Sequence, residues 1–115
     1  MEQERRRALR FRLIAPAELV DETSGTQTTA YVTDFSLYGC ALGVTHPLRR
    51  GVTIHLEIVT AAESFESRAT VVYSHAHSVG LTFRDVKPQS LTVLRRLLVT
   101  AMQKQQEREE AGESS

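Results

Sequence analysis

The chain has no tryptophan, few aromatic residues of any kind (6%), and a single cysteine, Cys40. A lone cysteine excludes an internal disulfide framework and is compatible with a reducing compartment. Sites for single-stranded nucleic acid pair a basic groove with exposed rings. Here the three tyrosines are scattered and only the N-terminal stretch is basic, so that class is disfavoured. Net charge is formally zero, with 14 basic and 14 acidic side chains, which removes any global field drawing the protein to nucleic acid or to a membrane surface. No apolar run approaches the roughly 18 residues a membrane helix requires. The polar, arginine-rich beginning lacks the apolar core of a signal peptide. A cytoplasmic protein without membrane insertion is expected. At 115 residues and 41% hydrophobic content, the chain is read as one domain with a modest core.

Charge is present but segregated. Arg5, Arg6, Arg7, Arg10 and Arg12 crowd the beginning, and Glu107, Glu109, Glu110 and Glu113 dominate the end. Residues 1–10 are read as a flexible arginine arm, with a short helix placing Arg6 and Arg10 on one face as the competing reading. From Phe11 the pattern alternates: Phe11, Leu13, Ala15, Ala17 and Leu19 form one side of a strand, and Pro16 suggests an edge or a bulge. A polar turn follows over 21–29, centred on Gly25. Further strands are expected at 28–33, 40–45, 52–59, 65–73 and 79–83, making six in all, as in a small antiparallel barrel or sandwich filling 11–86. The period then changes. Leu91, Leu94, Leu97, Leu98, Ala101 and Met102 recur at helical spacing after Pro88. This predicts a helix over 87–108 that lids the barrel or packs on a second subunit, as in a homodimer. Residues 109–115 are read as a disordered tail.

One short stretch stands out between two of these strands: Asp34-Phe35-Ser36-Leu37-Tyr38-Gly39. Composition alone gives Asp-x-Ser-x-x-Gly roughly 0.03 times in a chain of this size. A carboxylate accepts from the N1–H and N2–H₂ edge of guanine, while an arginine fork reads the O6/N7 edge or a phosphate. An acidic turn and an arginine arm together therefore suit an anionic guanine nucleotide. Each residue also has a plainer role. Asp34 could cap its own turn through the backbone N–H of Ser36 or Leu37, Ser36 could be a turn hydroxyl, and Gly39 could supply a positive φ or a close backbone approach. Arg6 and Arg10 could be a solvated basic arm.

The context resembles the PilZ domain, a bacterial receptor module for cyclic di-GMP, over nearly the whole chain. Glu4-Arg5-Arg6-Arg7-Ala8-Leu9-Arg10-Phe11 is similar to the family's arginine motif, with Arg6 and Arg10 as its RxxxR pair. Asp34, Ser36 and Gly39 match its (D/N)xSxxG motif. Val52 to Leu56 resembles the strand that follows, and Val79 to Phe83 the late strand that closes the barrel. Cys40 stands where a small residue is usual. The resemblance implies a six-stranded antiparallel split barrel with a C-terminal helix. It also implies cyclic di-GMP held by Arg5, Arg6, Arg10, Asp34, Ser36 and Gly39, with Arg5 able to stack on a second ligand molecule, and a protein partner that receives the signal.

Neither catalysis nor a metal is expected. No Ser–His–Asp set or phosphate-cradling loop can be assembled. His75 and His77 share a strand face without an acidic or cysteine partner at ligand spacing, and read with His46 and His55 as surface residues. No cofactor is implied beyond the nucleotide ligand. The rival to a nucleotide receptor is a nucleotide-independent interaction subunit that docks a partner through the leucine face of its helix.

Overall fold

Alternation of apolar side chains sets the architecture. The computed structural model describes residues 10–114, with side chains described through Glu109. The elements are β1 (Phe11–Asp21), β2 (Gln27–Phe35), β3 (Gly39–Gly43), β4 (Thr53–Val59), β5 (Ser64–His75), β6 (Ser78–Arg84) and α1 (Pro88–Ser114). All pairings are antiparallel, and the strand order β1-β2-β3-β6-β5-β4 closes into a barrel. The six-stranded antiparallel barrel with a C-terminal helix is therefore the fold.

Inward positions of every strand build one core. Ala17, Val32, Leu42, Leu56, Phe65 and Val79 are fully shielded from solvent. Phe65 and Phe83 meet at 5.0 Å between centroids with rings tilted by 59°, a favourable aromatic geometry. The helix completes this core: Leu94, Leu97 and Ala101 are buried in the same cluster, and Leu91, Val93 and Leu98 pack against it. Of the two roles read for the leucine face, lidding its own barrel is the one observed. Pro88 takes the first helical position, where a missing N–H costs nothing.

Boundaries differ from the sequence reading in places that have physical causes. The first hairpin turn is shorter than 21–29, because Asp21 organises it. Its Oδ1 accepts from the backbone N–H of Thr23 (2.8 Å) and Ser24 (3.1 Å), and Gly25 sits at φ 74°. The second strand runs on through Asp34 and Phe35, while the third ends at Gly43 rather than Thr45. The helix continues to Ser114, through residues 109–114 that had been assigned to the tail. Loss of leucine periodicity marks where packing stops, but Gln, Lys, Glu and Arg propagate a helix nearly as well as leucine.

The β1–β2 bulge falls at Leu13 and Ile14, between Arg12 and Ala15, while Pro16 itself stays in register with Tyr31. Pro16 borders an opening in the seam: β1 pairs with β4 only over Ala17–Asp21, leaving Phe11–Pro16 without a partner on that side. A second irregularity, between Val71 and Tyr73 in β5, reverses the phase of that strand. A strict period of two from Phe65 through Val71 would place Tyr73 inward. The bulge turns it outward, where it is 41% exposed.

Surface ion pairs staple the ends. Arg68 on β5 donates to both oxygens of Glu22 (2.8 and 3.0 Å) and to Asp85 (3.3 Å), and Arg96 of α1 donates to Glu63 at 2.8 Å. The hydrogen bond from Arg68 holds the Glu22 carboxyl below its usual range.

Candidate functional site

The wall formed by β2, β3, β6 and β5 carries the site. Every residue of β3 is buried, although Gly39, Ala41 and Gly43 face outward. They are covered because they are small and their neighbours lean over them. A Cβ at Gly43 would lie 2.3 Å from the Tyr31 ring, and one at Gly80 would lie 2.5 Å from the Tyr73 ring. Tyr31 is the cross-strand partner of Gly43, and Tyr73 of Gly80. Rings packed on glycines in this way cover the backbone while staying partly exposed to solvent. Following the pairings across four strands, Asp34, Ala41, Gly80 and Tyr73 form one continuous row.

The acidic motif sits at one end of this wall. Asp34 is the penultimate residue of β2, paired with Ala41 of β3 and Arg12 of β1. Its Oδ1 accepts from Arg10 Nη1 at 2.8 Å, closing an ion pair between residues 24 apart in sequence. The turn-capping alternative for Asp34 is not the one adopted, because the Ser36 N–H donates instead to the Gly39 carbonyl at 2.8 Å. Ser36 is 2% exposed, and its hydroxyl is spent within the turn. It accepts from the Tyr38 N–H at 3.2 Å and donates to the Gly39 carbonyl at 3.4 Å. This geometry thrusts Leu37 and Tyr38 into solvent.

Gly39 has no positive φ, contrary to one of the two reasons considered for it. A close approach is what requires it: an added Cβ would fall 2.0 Å from the Leu81 carbonyl oxygen of β6. The Phe83 N–H donates to the Tyr38 carbonyl at 2.8 Å, tying the same turn to β6. Directly beneath lies Cys40, whose thiol is pushed up to about 12 by burial, with the Asp34 charge adding and Arg10 opposing. It stays a neutral core residue.

Arg10, Ser36, Tyr38, Gly39, Tyr73, Gly80 and Thr82 border a cleft of about 300 Å³. Of the residues named from sequence, Arg10, Asp34, Ser36 and Gly39 converge here, with Asp34 at the rim through its bond to Arg10. Arg5 and Arg6 lie outside the described residues. Sequence reasoning missed Tyr38 and Tyr73. Tyr38 was readable as a position inside the motif, whereas the pairing of Tyr73 with Gly80 depends on register after the β5 bulge and carries no local sequence signal. A larger recess, about 400 Å³, opens at the far mouth beside Asp21, Thr26, Arg49 and Ile54. The polar groups of its turn are largely consumed locally: Asp21 caps backbone N–H groups and the Ser24 hydroxyl donates to that of Thr26. The convergent charged pair belongs to the smaller cleft. Among the described residues no cluster of His, Cys, Asp or Glu could hold a metal, and no helix is long and apolar enough to cross a membrane.

Comparison with known proteins gives the class of this barrel. The family model of the PilZ domain matches residues 4–100, so the chain belongs to the PilZ family, a family of cyclic di-GMP receptors. The PilZ domain is a non-catalytic binding domain. A search of curated sequences found no match. Among solved structures, the chain is similar to the PilZ domain of YcgR from Escherichia coli with c-di-GMP. The TM-score is 0.76 and identity 15%, covering 92% of this chain and 98% of that one. It is also similar to the PilZ domain of CeSA from a cellulose-synthesizing bacterium, with TM-score 0.68, 16% identity and coverage of 80% and 96%. Full YcgR in complex with c-di-GMP aligns with TM-score 0.72 and 17% identity over 96% of this chain, which spans about half (51%) of that chain. At these identities the likeness is one of fold.

Proposed function

We propose that this chain is a cytoplasmic, non-catalytic receptor for cyclic di-GMP that passes ligand occupancy to a protein partner. The observation that carries this reading is the meeting of Arg10 and Asp34 at 2.8 Å beside the cleft bordered by Tyr38, Gly80 and Tyr73. Each group has a use in holding a guanylate dinucleotide. The Asp34 carboxylate accepts from N1–H and N2–H₂ of one guanine, and the Arg10 fork donates to an O6/N7 edge or to phosphate. Tyr38 and Tyr73 offer ring faces for stacking, a contact worth about 1–3 kcal/mol per base. Ser36 and Gly39 act chiefly by shaping the turn that holds Asp34 and Tyr38 in place.

The ion pair is compatible with ligand entry. Both partners are solvent-accessible, at 57% and 37% of the side chain, and such pairs contribute only about 0–1 kcal/mol. Opening it to admit a charged, planar ligand therefore costs little. At about 300 Å³ the cleft is at the lower end of the roughly 300–1,000 Å³ typical of small-molecule sites, so the barrel wall supplies one side of the site. Arg5 and Arg6, on the segment leading into Arg10, supply the other. Occupancy then shifts the receptor toward its ligand-bound population, which the partner reads.

Isothermal titration calorimetry with cyclic di-GMP tests this reading. Asp34→Ala and Arg10→Ala should each lower affinity by roughly one to two decades, the value of a lost bidentate base contact. Unchanged affinity in both variants would end it.

A further inference from the structure

A second surface lies at the opening in the barrel seam, away from the nucleotide cleft. Where β1 and β4 diverge, α1 and the β4–β5 turn wall a groove of about 510 Å³. Its lining is mainly apolar, from Leu13, Ile14, Pro16, Val59, Ala61 and Ala62, with Thr60 and Thr100 among its polar members. Ile14 is 64% exposed and Val59 38% exposed, which is unusual for branched apolar residues on strands. The groove continues along the helix into a recess bordered by Arg12, Lys104 and Arg108, with Glu107 as its one acid. Among the described residues, none of these three cations forms an ion pair. Glu63, at the other end of the groove, is already engaged by Arg96 on both oxygens. The surface is thus an apolar trough with a cationic rim.

We propose that this groove docks an acidic segment bearing a large apolar anchor, supplied by a partner protein. Charge selects against the chain's own beginning, since residues 1–9 carry Arg5, Arg6 and Arg7 against Glu2 and Glu4. A second copy's acidic end is also a poor match. Residues 107–113 bring Glu107, Glu109, Glu110 and Glu113 but no apolar side chain larger than Ala111. The helix leucines, the other candidate anchors, are buried in their own barrel. An anchor seated against Ile14 and Val59, with carboxylates on Lys104, Arg108 and Arg12, satisfies both halves of the surface. The inference does not rest on nucleotide binding, because the groove shares no residue with the cleft. In sequence, only the buried Phe11 separates Arg10 of the cleft from Arg12 on the rim.

The test is selection of a random 16-residue peptide display library on the full chain, with an enriched peptide then measured by fluorescence anisotropy. Enriched sequences should be acidic with at least one large apolar residue. Ile14→Glu and the double variant Lys104→Glu/Arg108→Glu should each weaken the chosen peptide by about tenfold or more. Asp34→Ala, which disables the nucleotide site, should leave it unchanged, so that failure of one surface is distinguishable from failure of the other. Ile14, Lys104 and Arg108 are exposed and Asp34 is half-buried, and thermal unfolding controls for folding in every variant. Should Ile14→Glu fail to fold, the charge-reversal pair decides. Basic or neutral winners, or binding indifferent to both variants, would overturn the proposal. So would dimerisation that light scattering shows to be abolished by Ile14→Glu, because the occupant would then be a second copy.

Discussion

The outward faces of β3 and β4 are built on opposite plans. On β4 the outward residues are Thr53, His55, Glu57 and Val59, an ordinary mixed surface on the side of the sheet away from the core. On β3 they are Gly39, Ala41 and Gly43, all buried, with Gly39 against the Leu81 carbonyl and Gly43 under the Tyr31 ring. A wall of small residues sacrifices β propensity, since glycine in a strand interior weakens it. The gain is close packing of the Tyr31 ring over Gly43 and the Tyr73 ring over Gly80. The lack of a side chain at Gly39 also lets β3 and β6 approach closely.

The sharpest way to break this contrast is through charge at the rim of the small-residue wall. Asp34→Ala should reduce cyclic di-GMP affinity by roughly one to two decades, whereas Glu57→Ala on the β4 face should leave it unchanged; calorimetry measures both. Next comes the close approach itself. Gly39→Ala drives a Cβ into the Leu81 backbone carbonyl and should destabilise the fold by about 1–3 kcal/mol. Gly43→Ala meets only the movable Tyr31 ring and should cost less, as urea unfolding midpoints of the two variants will show. Tyr73→Ala should weaken nucleotide binding by about tenfold through lost stacking, with a smaller loss of stability from uncovering Gly80.

Two pH effects are smaller. Cys40 is raised from 9.0 to about 12 by burial, so above pH 9 the unfolded chain releases a proton that the folded protein keeps. Stability contributed by the buried neutral thiol is therefore lost as pH climbs from about 9 toward 12. Cys40→Ala should flatten that alkaline decline in urea midpoints, whatever it does to their absolute level. Glu22 has the opposite sign. Its carboxyl is lowered by Arg68, so its contribution is present above the normal carboxylate range and fades as pH falls through it. Glu22→Gln should slightly flatten the acid limb of the same curve.

Much of the fold was legible because burial obeys a period of two. Ile54, Leu56 and Ile58 announce their strand, and each lies buried as the alternation requires. The leucine stripe likewise announced the helix, and its contact with the barrel follows from apolar area that had to be covered. What sequence could not supply is phase after a bulge and register across several strands. Tyr73 reads as inward until the irregularity at Val71–Tyr73 turns it, and nothing local reveals that it then joins Gly80, Ala41 and Asp34 in one row. Gly39 shows the same limit. Its identity was readable as a motif letter, but the carbonyl that forbids a side chain there belongs to Leu81, 42 positions later. Asp34 was legible as the focus of the motif; its pairing with Arg10 depends on the approach of β1 to β2.

Titration of isotopically labelled protein with cyclic di-GMP, followed by amide ¹H–¹⁵N correlation spectra, tests the nucleotide site most directly. Perturbations should concentrate at Arg10, Asp34 to Gly39, Tyr73 and Gly80 to Thr82, and should vanish in Asp34→Ala. Spectra unmoved by saturating nucleotide, or shifts gathered on β4 with this wall silent, would contradict it.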